Sequence, residues 1–202
     1  MKGGRGVLGE GIEGVDGFEG IEALNSSGRQ FLQIPQFLHF PSRPTPLLVG
    51  ILPKMADWDA LVDGFRFDFW ANRLWLESLS KKAFPEPDAA VMAHLLSAQK
   101  IWVTRVNGES LDYFPKVELK DEAMAALNSE WLEALANRKD DPIIHYRRTT
   151  GEALTSPLSQ IALHVINHGT YHRGELRGLL RAREDVDFPE TDRLRYWFET
   201  HQ

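Results

Sequence analysis

The segment HVINHGTYHRGELRGLLR, residues 164–181, carries three histidines at successive intervals of four residues. Such spacing puts His164, His168 and His172 on one face of an α-helix, each about one turn, or 5.4 Å, from the next. Either adjacent pair can share one metal ion, whereas the outer two histidines are about 12 Å apart and cannot. The segment therefore predicts a metal-binding helix in which the pairs 164/168 and 168/172 both remain open.

The same histidines also have an interpretation without metal. A single HxxxH pair is equally compatible with ordinary polar residues of an amphipathic helix or with core histidines. Three histidines in register, joined by His94 on another predicted helix, are harder to explain in this way. Together with His94, the three make four of the chain's seven histidines. Burying all four without metal would leave several imidazole nitrogens in need of partners.

Apolar residues recur at the three-and-four spacing of a helix face in four segments. We predict helix one over Asp57–Ser80, helix two from Asp88 to Asn107-Gly108, helix three over Asp121–Asn137, and helix four from Ser156, with Pro157 in its first turn, to about Arg183. The connections between them are short. This favours an all-α fold, an antiparallel four-helix bundle whose functional groups project inward.

A small β-hairpin is expected between helices three and four. The segment IIHYRRTTGEALTSP, residues 143–157, has β-branched residues on either side of Thr150-Gly151, which is typical of two short strands and a turn. A short C-terminal helix is expected after Thr191-Asp192.

The composition of the chain changes near Met55. Residues 1–54 hold 10 of the 16 glycines and 5 of the 11 prolines, but none of the six tryptophans. Glycine at this density penalises both helix and strand, so we expect an irregular extension over 1–54 and a domain over 55–202. The Pro-rich stretch that ends the extension is equally compatible with a strap over apolar surface and with a free tail. A translation start at Met55, with an extension that is not native, would explain the break.

The net charge of −6 argues against nucleic acid as a partner, because binding a phosphate backbone requires clustered lysine and arginine. No run is long and apolar enough for a membrane span or a secretory signal, so the expected location is the cytoplasm. The chain has no cysteine, which excludes disulfides, thiolate ligands and a protein thiol nucleophile. Any metal must therefore be bound through His, Asp or Glu.

Two familiar helical metal architectures do not match the sequence. The HGTYH motif lacks the glutamate that follows the first histidine in zinc metalloproteases, so their general base is absent. No glutamate is followed three residues later by histidine, which removes the di-iron carboxylate site. A mononuclear site with histidine ligands and open positions remains.

Residues 164–181 closely resemble the helix-four signature of the DinB-like, or YfiT-like, superfamily of metal-dependent enzymes. FDFWANRLWLESL at 67–79 is similar to helix one of that family, and HLLSAQKIWVTRVNG at 94–108 is similar to its helix two. The hairpin and the C-terminal FPETDRLRYWFE are similar in kind and place. The resemblance spans essentially all of residues 55–202, and NHGTYHRGE is its most specific element.

The resemblance implies that one ligand comes from the start of helix two and two come from an HxxxH on helix four. By motif position these are His94, His168 and His172. His164 is then a neighbour that lines the pocket, although spacing alone would allow the 164/168 pair. The family pattern often has glutamine where this chain has Glu175, and a carboxylate there would orient a histidine or add negative charge to the site.

Two polar residues, Asn167 and Arg173, adjoin the ligands in sequence. Neighbours on a helix point about 100° apart, so an interhelical hydrogen bond is at least as compatible with each as a place in the pocket.

The resemblance also implies a function, because members of the family include transferases that add a low-molecular-weight thiol to an electrophile. One divalent ion, zinc or nickel, would activate the thiol, and the substrate partners would be a small thiol and an electrophile. Two alternatives stay open: metal-dependent hydrolysis at the same site, and a non-catalytic, metal-stabilised, stress-related binding protein, of which a homodimer through helix faces would be one form. A fourth protein ligand, with Glu175 or His164 as the candidates, would favour the non-catalytic alternative, because structural zinc normally has four.

Overall fold

The computed structural model describes residues 56–201, which are mostly helical and include one two-stranded antiparallel hairpin. The elements are α1 (Trp58–Lys81), α2 (Asp88–Val106), α3 (Asp121–Leu135), β1 (Ile143–Arg147), β2 (Ala153–Pro157), α4 (Leu158–Ala182) and α5 (Arg193–Thr200). The hairpin lies between the third and fourth helices, as the sequence predicts. The predicted extension over 1–54, with His39, lies outside the described residues. None of the helices in the described range could cross a membrane.

The apolar stripes of α1 to α4 meet in one core. Phe65 of α1 stacks on Trp131 of α3 with ring centroids 4.5 Å apart, and both side chains are buried. Leu95 of α2 and Leu176 of α4 belong to the same cluster and are fully buried. Helices α1 and α2 each contact both α3 and α4. The two helices that carry the candidate ligands, α2 and α4, are therefore direct neighbours.

Helix α5 packs on the outer side of α1 rather than in this core. Tyr196 is its buried residue, and its ring lies 5.6 Å from the rings of both Phe67 and Trp70. The Tyr196 hydroxyl donates to an Asp63 carboxylate oxygen at 3.0 Å. The short C-terminal helix predicted after Thr191-Asp192 is confirmed, and Asp192 caps it by accepting a hydrogen bond from the Arg195 backbone N–H.

The predicted start of the fourth helix is wrong by two residues. Ser156 and Pro157 end β2, where they pair with Ile144 and Ile143, and α4 begins at Leu158. The N-terminal cap is supplied from outside the helix by Asp141. Its carboxylate accepts hydrogen bonds from the backbone N–H of Ser159 at 2.9 Å and from the Ser159 hydroxyl at 2.6 Å. A Ser-Pro start signal does not reveal a cap that comes from residues before the hairpin.

Helix three also ends earlier than predicted, at Leu135 rather than Asn137. Ala136 is extended, and Asn137 has a φ of 56°, in the left-handed region that asparagine adopts more readily than most residues. The helix therefore stops before the charged residues that follow.

Trp131→Ala tests the core and is expected to lower the free energy of unfolding by about 3–5 kcal/mol, because it leaves a large cavity beside Phe65. The measurement is denaturant unfolding followed by circular dichroism. Trp197→Ala is the matched control: Trp197 is 51% exposed, so the free energy of unfolding should change by no more than about 0.5 kcal/mol. Equal effects of the two substitutions would contradict the described packing.

Candidate metal centre

Three histidines from two helices meet at the interface of α2 and α4. His94, His168 and His172 each offer one ring nitrogen, and these nitrogens all lie within 4.8 Å of one another. The Nε2 atoms of His168 and His172 are 3.1 Å apart. The ring of His94 lies 4.8 Å from that of His172 and 5.4 Å from that of His168, between centroids. Three nitrogen donors this close together can contact a single small cation.

Burial and crowding favour the neutral forms of the His94 and His168 rings. Burial, followed by the nearby His172, His94 and His164 rings, lowers the pKa of His168 from 6.5 to about 3. Burial also lowers the pKa of His94, with a further contribution from His172 and a smaller opposing one from Glu175. A neutral imidazole has a free lone pair, which is the form that binds metal.

Glu175 fixes the orientation of His172. Its carboxylate Oε2 lies 2.8 Å from His172 Nδ1, one turn further along α4. When Nδ1 carries the ring proton it donates to this carboxylate, and the Nε2 lone pair then faces the other two histidines. Carboxylates in this position hold the ring and raise its basicity as a ligand.

His164 lies beside the group but does not belong to it. Its ring is exposed, 5.7 Å from that of His168 and 5.5 Å from that of Trp102, between centroids. Of the two pairs that the spacing allows, the structure brings 168/172 together with His94.

The other two predicted neighbours point elsewhere. Asn167 is exposed, whereas Arg173 is buried and turned toward α1. The Arg173 guanidinium donates to Asp68 Oδ1 at 2.5 Å and to Asn72 Oδ1 at 2.7 Å. The sequence was compatible with a place for Arg173 in the pocket or with an interhelical hydrogen bond. In the structure Arg173 makes the interhelical hydrogen bonds and does not face the histidines.

Two aromatic residues near the group were not singled out from the sequence. Phe114, in the connection between α2 and α3, lies 5.7 Å from the His94 ring. Tyr171 lies edge-on to His172 at 5.1 Å and is 53% exposed. Tyr171 directly precedes a candidate ligand and could have been noticed, but nothing local indicates that Phe114 reaches α2. Both leave apolar surface next to the histidines.

The donor set fits a divalent ion of borderline softness, because it consists of three imidazole nitrogens. Among residues 56–201 no Asp, Glu or further His joins this group as a fourth ligand. Glu175 instead contacts the outer nitrogen of His172. Three protein ligands leave a coordination position for an external molecule, as in catalytic zinc sites.

Comparison with known proteins identifies the family. The model of the DinB family matches residues 70–191, a range that includes all three histidines and Glu175. The chain belongs to the DinB family. Protein DinB of Bacillus subtilis (strain 168) is 28% identical over 161 residues, which cover 67% of this chain and 92% of that relative. No solved structure matches the chain.

The metal-free form of this DinB-family protein should lose stability as the pH falls from 7 to 5. The folded state holds His168 and His94 at lowered pKa values, so the unfolded chain takes up protons first, near pH 6.5. Stability from these groups is thus complete above about pH 6.5 and is lost progressively below it. The measurement is the melting temperature of the chelator-treated protein at each pH.

His168→Ala should reduce this pH dependence, and His145→Ala, which removes an exposed histidine of the hairpin, should leave it unchanged. A melting temperature that stays constant from pH 7 to 5, or that falls equally in both variants, would contradict the described electrostatics.

Proposed function

We propose that this chain is a metal-dependent transferase. His94, His168 and His172 would hold one divalent ion, zinc or nickel, and the bound ion would supply the activation of a low-molecular-weight thiol for conjugation to an electrophile. The observation that carries the proposal is the convergence of three ring nitrogens within 4.8 Å, with no fourth protein ligand among the described residues. The choice of a thiol as cosubstrate rests on the family resemblance, because members of that family include thiol transferases.

The charge of the site supports a thiol as the external ligand. Three neutral imidazoles leave the charge of a divalent ion uncompensated, so an anion is favoured in the remaining position. When bound, the ion would lower the pKa of a thiol toward neutrality and make thiolate available near pH 7. Since the chain has no cysteine, the thiol has to be supplied by a cosubstrate.

The residues of the chain have separate roles in this proposal. Burial lowers the pKa values of His94 and His168 and so favours the neutral imidazole, whose free lone pair can bind a metal. Glu175 accepts a hydrogen bond from His172 Nδ1 when that nitrogen carries the ring proton, and this keeps Nε2 directed toward the other two histidines. Phe114 and Tyr171 supply apolar surface beside the ligands, against which an electrophile can pack.

The proposal also concerns the arrangement of the four long helices. We infer that α1 to α4 form the antiparallel four-helix bundle implied by the resemblance, as a domain over residues 55–202. The contacts of α1 and α2 with both α3 and α4 support this inference.

A conjugation assay tests the proposed reaction. The full chain is loaded with zinc or nickel and supplied with glutathione, bacillithiol or mycothiol and the electrophile 1-chloro-2,4-dinitrobenzene. We expect at least one thiol to be conjugated in a metal-dependent manner. His172→Ala should reduce the rate to background because it removes a ligand, whereas His145→Ala should retain the full rate.

If no thiol reacts above the His172→Ala background, the transferase proposal is wrong. Hydrolysis of an activated ester by the loaded protein, lost in His172→Ala, would then replace it with the hydrolase alternative.

A further inference from the structure

A buried cluster of polar side chains lies next to the three histidines, on the side of α4 that faces α1. It consists of Asp68, Asn72, Gln99 and Arg173, which are exposed by 1%, 1%, 6% and 4%. Asp68 Oδ1 accepts from the Arg173 guanidinium, and Asp68 Oδ2 accepts from Gln99 Nε2 at 2.5 Å and from Asn72 Nδ2 at 2.9 Å. Both oxygens of a buried carboxylate are thus satisfied by donors from three helices.

The cluster is adjacent in sequence to the candidate ligands on α4. Arg173 directly follows His172, and Gly169 directly follows His168. A Cβ at position 169 would lie 2.2 Å from Asp68 Oδ1, so only glycine lets the Asp68 carboxylate approach the helix this closely. Each of the two candidate ligands on α4 is therefore followed by a residue that contacts Asp68 or leaves room for it.

The cluster also reaches the helix that carries the third histidine. Gln99 is on α2, five residues after His94, and its side chain donates to Asp68. Its backbone carbonyl accepts from the Trp131 indole at 3.2 Å, which holds that segment of α2 against α3. Asp68 consequently connects α1 to both helices that bring the ligands together.

A metal site requires its ligand atoms to be placed precisely, and this depends on the rotation of α4 about its axis. A ring nitrogen lies about 6 Å from its helix axis, so turning α4 by only 10° would move it by about 1 Å. Metal–ligand distances tolerate only about 0.2 Å. Apolar packing is non-directional and does not by itself fix such a rotation, whereas hydrogen bonds between fixed donors and acceptors do.

We propose that Asp68, Arg173 and Gln99 are positioning residues for the metal centre. They hold the rotation of α4 against α1 and α2, so that His168 and His172 face His94 before a metal arrives. The inference rests on the proposed metal function. Buried ion pairs are weak evidence for stability, since well-packed apolar replacements are often neutral or stabilising. Positioning can therefore be separated from stability by experiment.

The double variant Asp68→Leu/Arg173→Met tests the proposal in the full chain. It replaces the ion pair by apolar side chains of similar size and leaves all histidines in place. The test has two readouts: the melting temperature, and the binding of Co²⁺ followed by its visible absorption. The variant should stay folded, with a melting temperature lowered only by the partners that Asn72 and Gln99 lose, but it should bind Co²⁺ about 10–100-fold more weakly, with an altered absorption band.

Lys100→Met/Glu130→Leu is the matched control. It removes an ion pair between α2 and α3, at 2.7 Å, whose Lys100 Nζ bonds to the Glu130 carboxylate rather than to Asp68 or Arg173. Co²⁺ affinity and spectrum should stay unchanged.

Unchanged affinity and spectrum in a folded Asp68→Leu/Arg173→Met protein would overturn the proposal. If the double variant does not fold, Gln99→Met removes one hydrogen bond and no charge, and Co²⁺ binding should weaken by about 2–10-fold. Unchanged binding in Gln99→Met would then overturn the proposal. Absence of Co²⁺ binding by the unmodified protein would be a different result, because it overturns the metal function and this inference with it.

Discussion

The carboxylate of Asp68 is almost completely buried, and much of the helix arrangement follows from the need to satisfy it. Removing an ionised group from water costs several kcal/mol unless partners replace the lost solvent. Arg173 comes from α4, Gln99 from α2 and Asn72 from α1 itself. One side chain thereby joins three helices through directional contacts, inside a core that is otherwise held by apolar packing.

The turn of α4 from residue 168 to 173 has two faces. His168 and His172 face α2 and the third histidine, whereas Gly169 and Arg173 face Asp68 on α1. The 100° step between successive residues of a helix separates these faces. The NHGTYHRGE motif thus combines candidate ligands with the residues that pack beside them, and Glu175 contacts His172 one turn later.

Helical periodicity was sufficient to predict the four long helices, and the hairpin followed from its β-branched residues around Thr150-Gly151. The start of α4 was wrong because a distant residue decides it: Asp141 caps α4 across the hairpin, so Ser156 and Pro157 remain in a strand. The choice between the 164/168 and 168/172 pairs depended on the position of His94, which spacing within one helix cannot provide. Asp68 and Asn72 interrupt the apolar face of α1, and such polar residues at core positions were the available signal for the buried cluster.

We propose that the three histidines form a metal centre rather than a hydrogen-bonded group. Metal content and X-ray absorption of the zinc-loaded protein test it most directly. We expect about one zinc per chain, with three imidazole nitrogens at about 2.0–2.1 Å. Tight binding should be lost in His168→Ala and in His172→Ala and kept in His164→Ala. Tight binding that survives either of the first two substitutions, or no bound zinc in the unmodified protein, would contradict a metal centre at these three histidines.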